Sequence, residues 1–148
     1  MKPQESGIPQ FRADGYLLDG LYLANEAETL FRFGSANRKR RGLAIRVRRW
    51  IDLARQVGAR RFLVDGSFVT AKALPRDVDA VVLLPPDFED QVERGHDAAL
   101  ELEGMLLTRF PEEIFAAEDE TDWNDWIEFF SRTREADGRR KGLVEVEL

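Results

Sequence analysis

The sequence has no cysteine and only one histidine, His96. Without cysteine there is no disulfide scaffold, no thiol nucleophile and no thiolate metal site. One histidine restricts a Ser-His-Asp triad to His96 and excludes poly-histidine zinc centres. His96 lies in a charged stretch, so it is expected to be exposed and to carry no chemistry. No apolar run approaches the roughly 20 residues that a membrane helix requires. Met1–Gln10 lacks the apolar segment of a secretory signal. A cytoplasmic protein without membrane contact is expected. Its chemistry must rest on carboxylates, hydroxyls, Lys/Arg and borrowed metal ions.

What is present is ample for a core. Of 148 residues, 43% are hydrophobic and 34% charged, which argues against disorder. The length predicts one domain over 1–148, with an extended N-terminal arm over about 1–20. The net charge of −6 conceals a split. Ten Lys/Arg and one acid lie between Arg38 and Arg61, whereas fifteen acids and two Arg lie between Asp87 and Glu128. Either the two halves face each other or lie on separate solvated faces, or the basic helix meets phosphate.

Periodicity and punctuation give the elements. The arm, rich in Gly and Pro, is expected to dock through Ile8, Phe11, Tyr16, Leu17 and Leu18. A short helix is predicted over 25–33, with Asn25 as N-cap and Gly34 as its stop. A long helix follows over 37–57, since Leu43, Val47, Trp50, Ala54 and Val57 step by helical spacing; Gly58 ends it. Strands are predicted at 61–65, 77–84, 113–117 and 142–148. One acidic helix is predicted over 88–109, carrying Val92, Leu100, Leu102, Leu106 and Leu107 and stopped by Pro111. A further helix begins at Thr121, with Trp123, Trp126, Ile127 and Phe130 on one stripe. Strands alternating with helices imply an α/β (α+β) fold, a small mixed sheet flanked by helices.

The chemistry is concentrated between the first two of these strands. One strand ends in Gly66-Ser67, and nine residues later Asp77-Val78-Asp79 opens the next. Period-two alternation puts both aspartates on one face and Val78 on the other. Two carboxylates so placed repel unless a cation lies between them. They make a hard-oxygen site for Mg²⁺ (or Mn²⁺), which shares its shell with water and substrate phosphate. Gly66 lets backbone amides approach an anion, and Ser67 adds a hydroxyl. A phosphate anchor facing a metal-binding carboxylate pair is what phosphoryl or nucleotidyl transfer requires.

Gly66-Ser67, the spacer and Asp77-Val78-Asp79-Ala80 together resemble the signature of the DNA polymerase beta-like nucleotidyltransferase superfamily. With Ile8-Pro-Gln-Phe, Asp14-Gly, Leu18-Asp-Gly20 and Lys141-Gly142, the chain looks like a group of short bacterial members. Asp65 departs from the pattern, which has a hydrophobic residue there, and Ala80 is small for its slot. The resemblance implies a small mixed sheet flanked by helices, with metal ions on three carboxylates. It carries the metal-binding, catalytic pair over to Asp77 and Asp79 and the phosphate loop to Gly66 and Ser67. It implies a third carboxylate on the strand after the following helix. That points to Glu113, with Glu118 as competitor and Glu145 and Glu147 as outside choices. The implied activity is transfer of NMP from an NTP such as ATP to the hydroxyl of a protein, RNA or small molecule. Membership of a toxin–antitoxin pair is implied as well. The alternative is a catalytically inactive binding or neutralising partner with the same fold.

Other residues join the candidate site. Lys72 and Arg76 are suited to pairing with triphosphate oxygens, or to balancing the aspartate pair as loop cations. Thr70 either caps a short helix over 68–72 or donates to a phosphate. Arg38, Lys39, Arg40 and Arg41 form either a solvated helix start or a grip on nucleic acid; cations at a helix N-terminus oppose the macrodipole. The helix carrying Trp123, Trp126, Phe129 and Phe130 is expected to fill the core, with part of it available to a protein partner or a second copy.

Overall fold

The computed structural model describes residues 7–108 and 113–148. The arm's first residues, Met1–Ser6, and the expected helix stop at Arg109 and Pro111 lie outside the described residues. The fold is mixed α/β. Five strands, β1 (Gly20–Ala24), β2 (Arg61–Asp65), β3 (Asp79–Leu83), β4 (Ile114–Ala117) and β5 (Gly142–Val146), form one sheet in the order β1-β5-β2-β3-β4. β1 runs parallel to β5 and β3 parallel to β4, while β2 is antiparallel to both β5 and β3. The described residues also form helices α1 (Glu26–Gly34), α2 (Arg38–Val57), α3 (Phe88–Glu93), α4 (Asp97–Thr108) and α5 (Glu120–Phe130). No helix among the described residues is long and apolar enough to cross a membrane.

Strand alternation sorts the core into two layers. Phe62, Val64, Ala80, Val82, Ile114, Val144 and Val146 pack with Phe33, Val47, Trp50 and Leu102 of α1, α2 and α4. Leu63, Val81, Leu83, Ala117 and Leu143 point the other way, onto Trp123 and Phe130 of α5. Helix α5 covers only part of that second face. The uncovered part is the end where β2 finishes and β3 begins.

Local signals explain most boundaries. The Asn25 side chain accepts from Glu28 N and caps α1, and Asn37 accepts from Arg40 N and caps α2. Gly58, at φ 77°, closes α2 in the left-handed region. Gly34 acts differently from the expected stop. It is the last helical residue of α1, and a Cβ there would stand 2.5 Å from Ala44 Cβ. Its absent side chain permits the close crossing of α1 and α2.

Several elements depart from expectation. The segment from Phe88 is two helices, because Gly95 takes φ 74° between α3 and α4. Leu100 and Leu107 are exposed as a result, while Leu102 is buried. Helix α5 starts earlier than Thr121: Asp119 is its N-cap, accepting from Asp122 N. β3 is shorter than expected, and Asp77 lies just before it. β1 was not expected; its pairing with β5 makes a strand of Leu21-Tyr22-Leu23. In the arm, Ile8 and Leu17 are buried but Leu18 is exposed. The arm folds back at Phe11 and Leu17, and Leu17 O accepts from Gly142 N at 2.9 Å.

The contact at Gly34 is open to a direct test. Gly34→Ala is expected to destabilise the protein by about 1–3 kcal/mol through overpacking. Adding Ala44→Gly is expected to recover part of that loss. Urea unfolding of the single and double variants should give a favourable coupling of at least about 1 kcal/mol.

Candidate active site

The uncovered end of the sheet holds four acids. Asp65 ends β2 and pairs in register with Asp79, which opens β3. Glu113 immediately precedes β4, whose Ile114 is aligned with Ala80. Asp77 lies two residues before Asp79, on the same face. Carboxylate oxygens of Asp77, Asp79 and Glu113 all lie within 4.8 Å of one another. Glu113 is therefore the acid that joins the aspartate pair. Glu118 lies beyond β4 at the opposite end, where its N–H donates to Asp122. Glu145 is held by the Arg61 guanidinium at 2.7 and 2.9 Å, and Glu147 is exposed past β5.

The Gly-Ser turn is built against this cluster. Gly66 takes φ 86°, and a Cβ on it would meet Asp79 N at 3.0 Å and Val78 Cα at 3.1 Å. Only glycine lets the end of β2 pass so near the start of β3. Ser67 N donates to Asp77 Oδ1 at 2.9 Å, and Ser67 Oγ donates to the same oxygen at 2.5 Å. Ser67 Oγ in turn accepts from Arg76 N and Asp77 N. Ser67 thus orients the Asp77 carboxylate through Oδ1. Thr70 follows the short 3-10 turn Ser67–Val69. Its hydroxyl donates to Ser67 O and accepts from Lys72 N, so it closes that turn instead of capping a helix start.

Arg40 corrects the reading of the basic run. It is 6% exposed and does not face an external polyanion. Its guanidinium donates to four backbone carbonyls, those of Phe33, Phe68, Thr70 and Lys72. Asn37 Nδ2 adds a bond to Ala73 O, and Ala71 N donates to Gly15 O of the arm. Together they hold the loop that joins the Gly-Ser turn to Asp77. Arg38, Lys39 and Arg41 remain exposed. The charge split is only partly neutralised inside the fold: Arg49 pairs with Glu101 across α2 and α4, but Arg55 pairs with Glu26.

Asp65 and Lys141 form a buried pair beside the cluster. Lys141 Nζ donates to both Asp65 oxygens, at 2.7 and 2.8 Å. Burial pushes the Asp65 carboxyl up to about 6, against the pull of Lys141. The same Lys141 is therefore not free to balance Asp77, Asp79 and Glu113. Asp79 rises to about 8, first through burial, then through its hydrogen bond with Glu113 and the charges of Asp77, Glu113 and Asp65. Three hard oxygen donors with this much uncompensated charge fit a divalent cation such as Mg²⁺ or Mn²⁺.

These residues sit in one cleft of about 1230 Å³. Asp77, Asp79, Glu113, Gly66, Ser67, Thr70, Lys72 and Arg76 all line it. Among the described residues, the side chains of Lys72 and Arg76 have no hydrogen-bond or ion-pair partner. Two walls were not read from the sequence. One is the arm at Ala13–Tyr16; the other is the end of α5 with the segment after it, including Phe129, Phe130, Arg132 and Arg134. Trp123 belongs to the core and is 1% exposed, so it is unavailable to a partner, and Trp126 is half-buried, donating through Nε1 to Ala116 O.

Two outcomes follow from these contacts. A carboxyl whose folded-state pKa stands above its ordinary 3.8 favours the fold when protonated and opposes it when ionised. The Asp79 contribution is therefore full below 3.8 and lost as the pH rises through about 8. Without divalent cation, Asp79→Asn should raise the melting temperature at pH 8, and the gain should fade toward pH 4; calorimetry across that range checks it. Arg40→Met leaves buried carbonyls without donors and should cost about 1–3 kcal/mol in urea unfolding. Hydrogen exchange should then quicken at the amides of Ala71 and Lys72.

No curated protein and no solved structure matches the chain. Residues 9–147 match a family described as a family of unknown function, DUF6932. That match spans almost the whole sequence, and the chain belongs to the DUF6932 family.

Proposed function

We propose that the protein is a divalent-metal-dependent nucleotidyltransferase of the DNA polymerase beta-like kind. The observation that carries this reading is the convergence of Asp77, Asp79 and Glu113 within 4.8 Å, beside a Gly-Ser turn and cations that have no partner among the described residues. Asp77, Asp79 and Glu113 would hold Mg²⁺ or Mn²⁺. Such an ion neutralises charge on the reacting phosphate and orients it. Lys72 and Arg76 supply donors for the outer phosphates of an NTP such as ATP. Gly66 keeps the β2–β3 junction tight, and Ser67 fixes the rotamer of Asp77. On this reading Glu113 would accept the proton of the attacking hydroxyl. That oxygen would bond to the α-phosphorus while the bond to the bridging oxygen of pyrophosphate breaks. Positioning and charge supply the rate, without a covalent enzyme intermediate. A cytoplasmic setting goes with this reading, because the reaction consumes NTP in the presence of magnesium.

One observation favours a second reading. Both donors of Ser67, its N–H and its hydroxyl, are directed at Asp77, so neither is free for a phosphate. This suits a binding or neutralising partner that keeps the fold without turnover, as in a toxin–antitoxin pair.

An α-labelled NTP tests both. On the first reading the protein binds it only with Mg²⁺ or Mn²⁺ and transfers label to an acceptor in cell extract. Asp77→Ala/Asp79→Ala should lower transfer at least about 100-fold while remaining folded. Metal-dependent binding with no transfer selects the partner protein. No binding in saturating Mg²⁺, with a double variant that merely gains stability, overturns the enzyme.

A further inference from the structure

We propose that the α5 end of the cleft is a nucleobase-stacking subsite, with Phe129 as its platform. The proposal rests on the nucleotide-transfer reading and accounts for the part of an NTP that the acidic end leaves untouched. Phe129 is 66% exposed, whereas its neighbour Phe130 is buried. A single exposed phenylalanine is ordinary on a protein surface. This one differs in being held and in where it stands.

The ring is fixed from behind. It meets Phe130 edge-on at 5.1 Å and Trp126 edge-on at 5.9 Å. Trp126 and Phe130 are stacked on each other at 5.6 Å, and Phe115 of β4 backs both. A platform fixed in advance loses little freedom when a flat ligand stacks on it. Phe129 also lines the cleft that holds the acidic cluster. Phe115 lies in β4, two residues after Glu113, which immediately precedes that strand, so alternation puts the aromatic group and this carboxylate on one sheet face. Arg134, also in the lining, has no side-chain partner among the described residues.

The cleft thus has two chemistries. Its lining offers hard oxygens with Lys72 and Arg76, and, from α5 and the segment after it, a packed aromatic group and Arg134; among the described residues none of these three cations has a side-chain partner. A nucleoside triphosphate carries a metal-seeking polyanion and a flat heteroaromatic ring in one molecule. An acidic peptide would satisfy the cations and leave the ring bare. Stacking is tolerant of base identity, so a preference for purines through greater overlap is expected over strict selection of one base.

Calorimetric titration in Mg²⁺ tests this with two probes, ATP and inorganic tripolyphosphate, on wild type, Phe129→Ala and Phe129→Trp. Phe129→Ala should weaken ATP roughly ten-fold or more and leave tripolyphosphate unchanged. Phe129→Trp should keep ATP affinity within about two-fold of wild type. Unchanged ATP affinity in Phe129→Ala overturns the subsite while leaving the functional reading intact. Equal weakening of both probes also overturns it, since the side chain would then act through the phosphate end. If wild type binds neither probe, the functional reading fails and the subsite falls with it. A dimer that Phe129→Ala converts to monomer, seen by size exclusion with light scattering, would give the ring to a second copy of the chain and overturn the subsite.

Discussion

The close approach of Gly66 to the backbone of Asp77, Val78 and Asp79 organises everything around it. Had a side chain been present there, β2 could not end so near the point where β3 begins. The thirteen residues between β2 and β3, Gly66 to Val78, must therefore leave and return within one turn's width. Ser67 fastens that return by bonding both the backbone and the carboxylate of Asp77. Arg40 holds the outgoing half of the loop by its carbonyls. The loop is closed at its neck by a glycine and a serine and braced from α2 by one buried guanidinium. The cations Lys72 and Arg76 are carried on it, and their direction into the cleft is a product of that bracing.

The second constraint is electrostatic. Four acids crowd one end of the sheet, and Lys141, the cation buried with them among the described residues, is matched to one of the four. Asp65, which departs from the hydrophobic pattern of the resembled signature, is neutralised by Lys141 from the start of β5. A hydrophobic residue at that position would have needed no such partner. The ion pair is a local solution to a local charge, and it leaves the Asp77, Asp79 and Glu113 group without a cation of its own, with the Asp65 charge adding to the rise of Asp79. Folding an uncompensated charge cluster into a half-buried position is unfavourable by itself. Binding a cation would turn that penalty into affinity, which is the physical link between the shape of the site and the chemistry proposed for it.

Much of the scaffold was legible because its signals are local. Asn37, the helical spacing of Leu43 to Val57 and Gly58 define α2 with no knowledge of its neighbours. The aspartate pair was legible because period two and the Gly-Ser spacing are properties of the chain. Glu113 was reachable only through the resemblance, which implies a third carboxylate on the strand after the following helix. What was missed depends on contacts between distant segments. β1 is a strand only because β5 lies beside it. Arg40 looks like every other cation in its run, and nothing local marks it as the one turned inward. The break at Gly95 was hidden by apolar residues that keep helical spacing on both sides. Phe129 sits beside core aromatics, and its exposure depends on how far α5 reaches across the sheet, which the stripe of Trp123, Trp126 and Phe130 does not disclose.

The placement of β5 has a consequence for how the chain acquires its shape during synthesis. This strand, last in chain order, is inserted between β1 and β2. The β2–β3 pair is close in sequence and can zip early as nascent chain emerges, but β1 must wait with an open edge until more than a hundred further residues have been translated. Lys141 arrives with that late strand. Until it does, Asp65 has no counter-ion, so the acidic end of the sheet can be sealed only after β5 has left the ribosome.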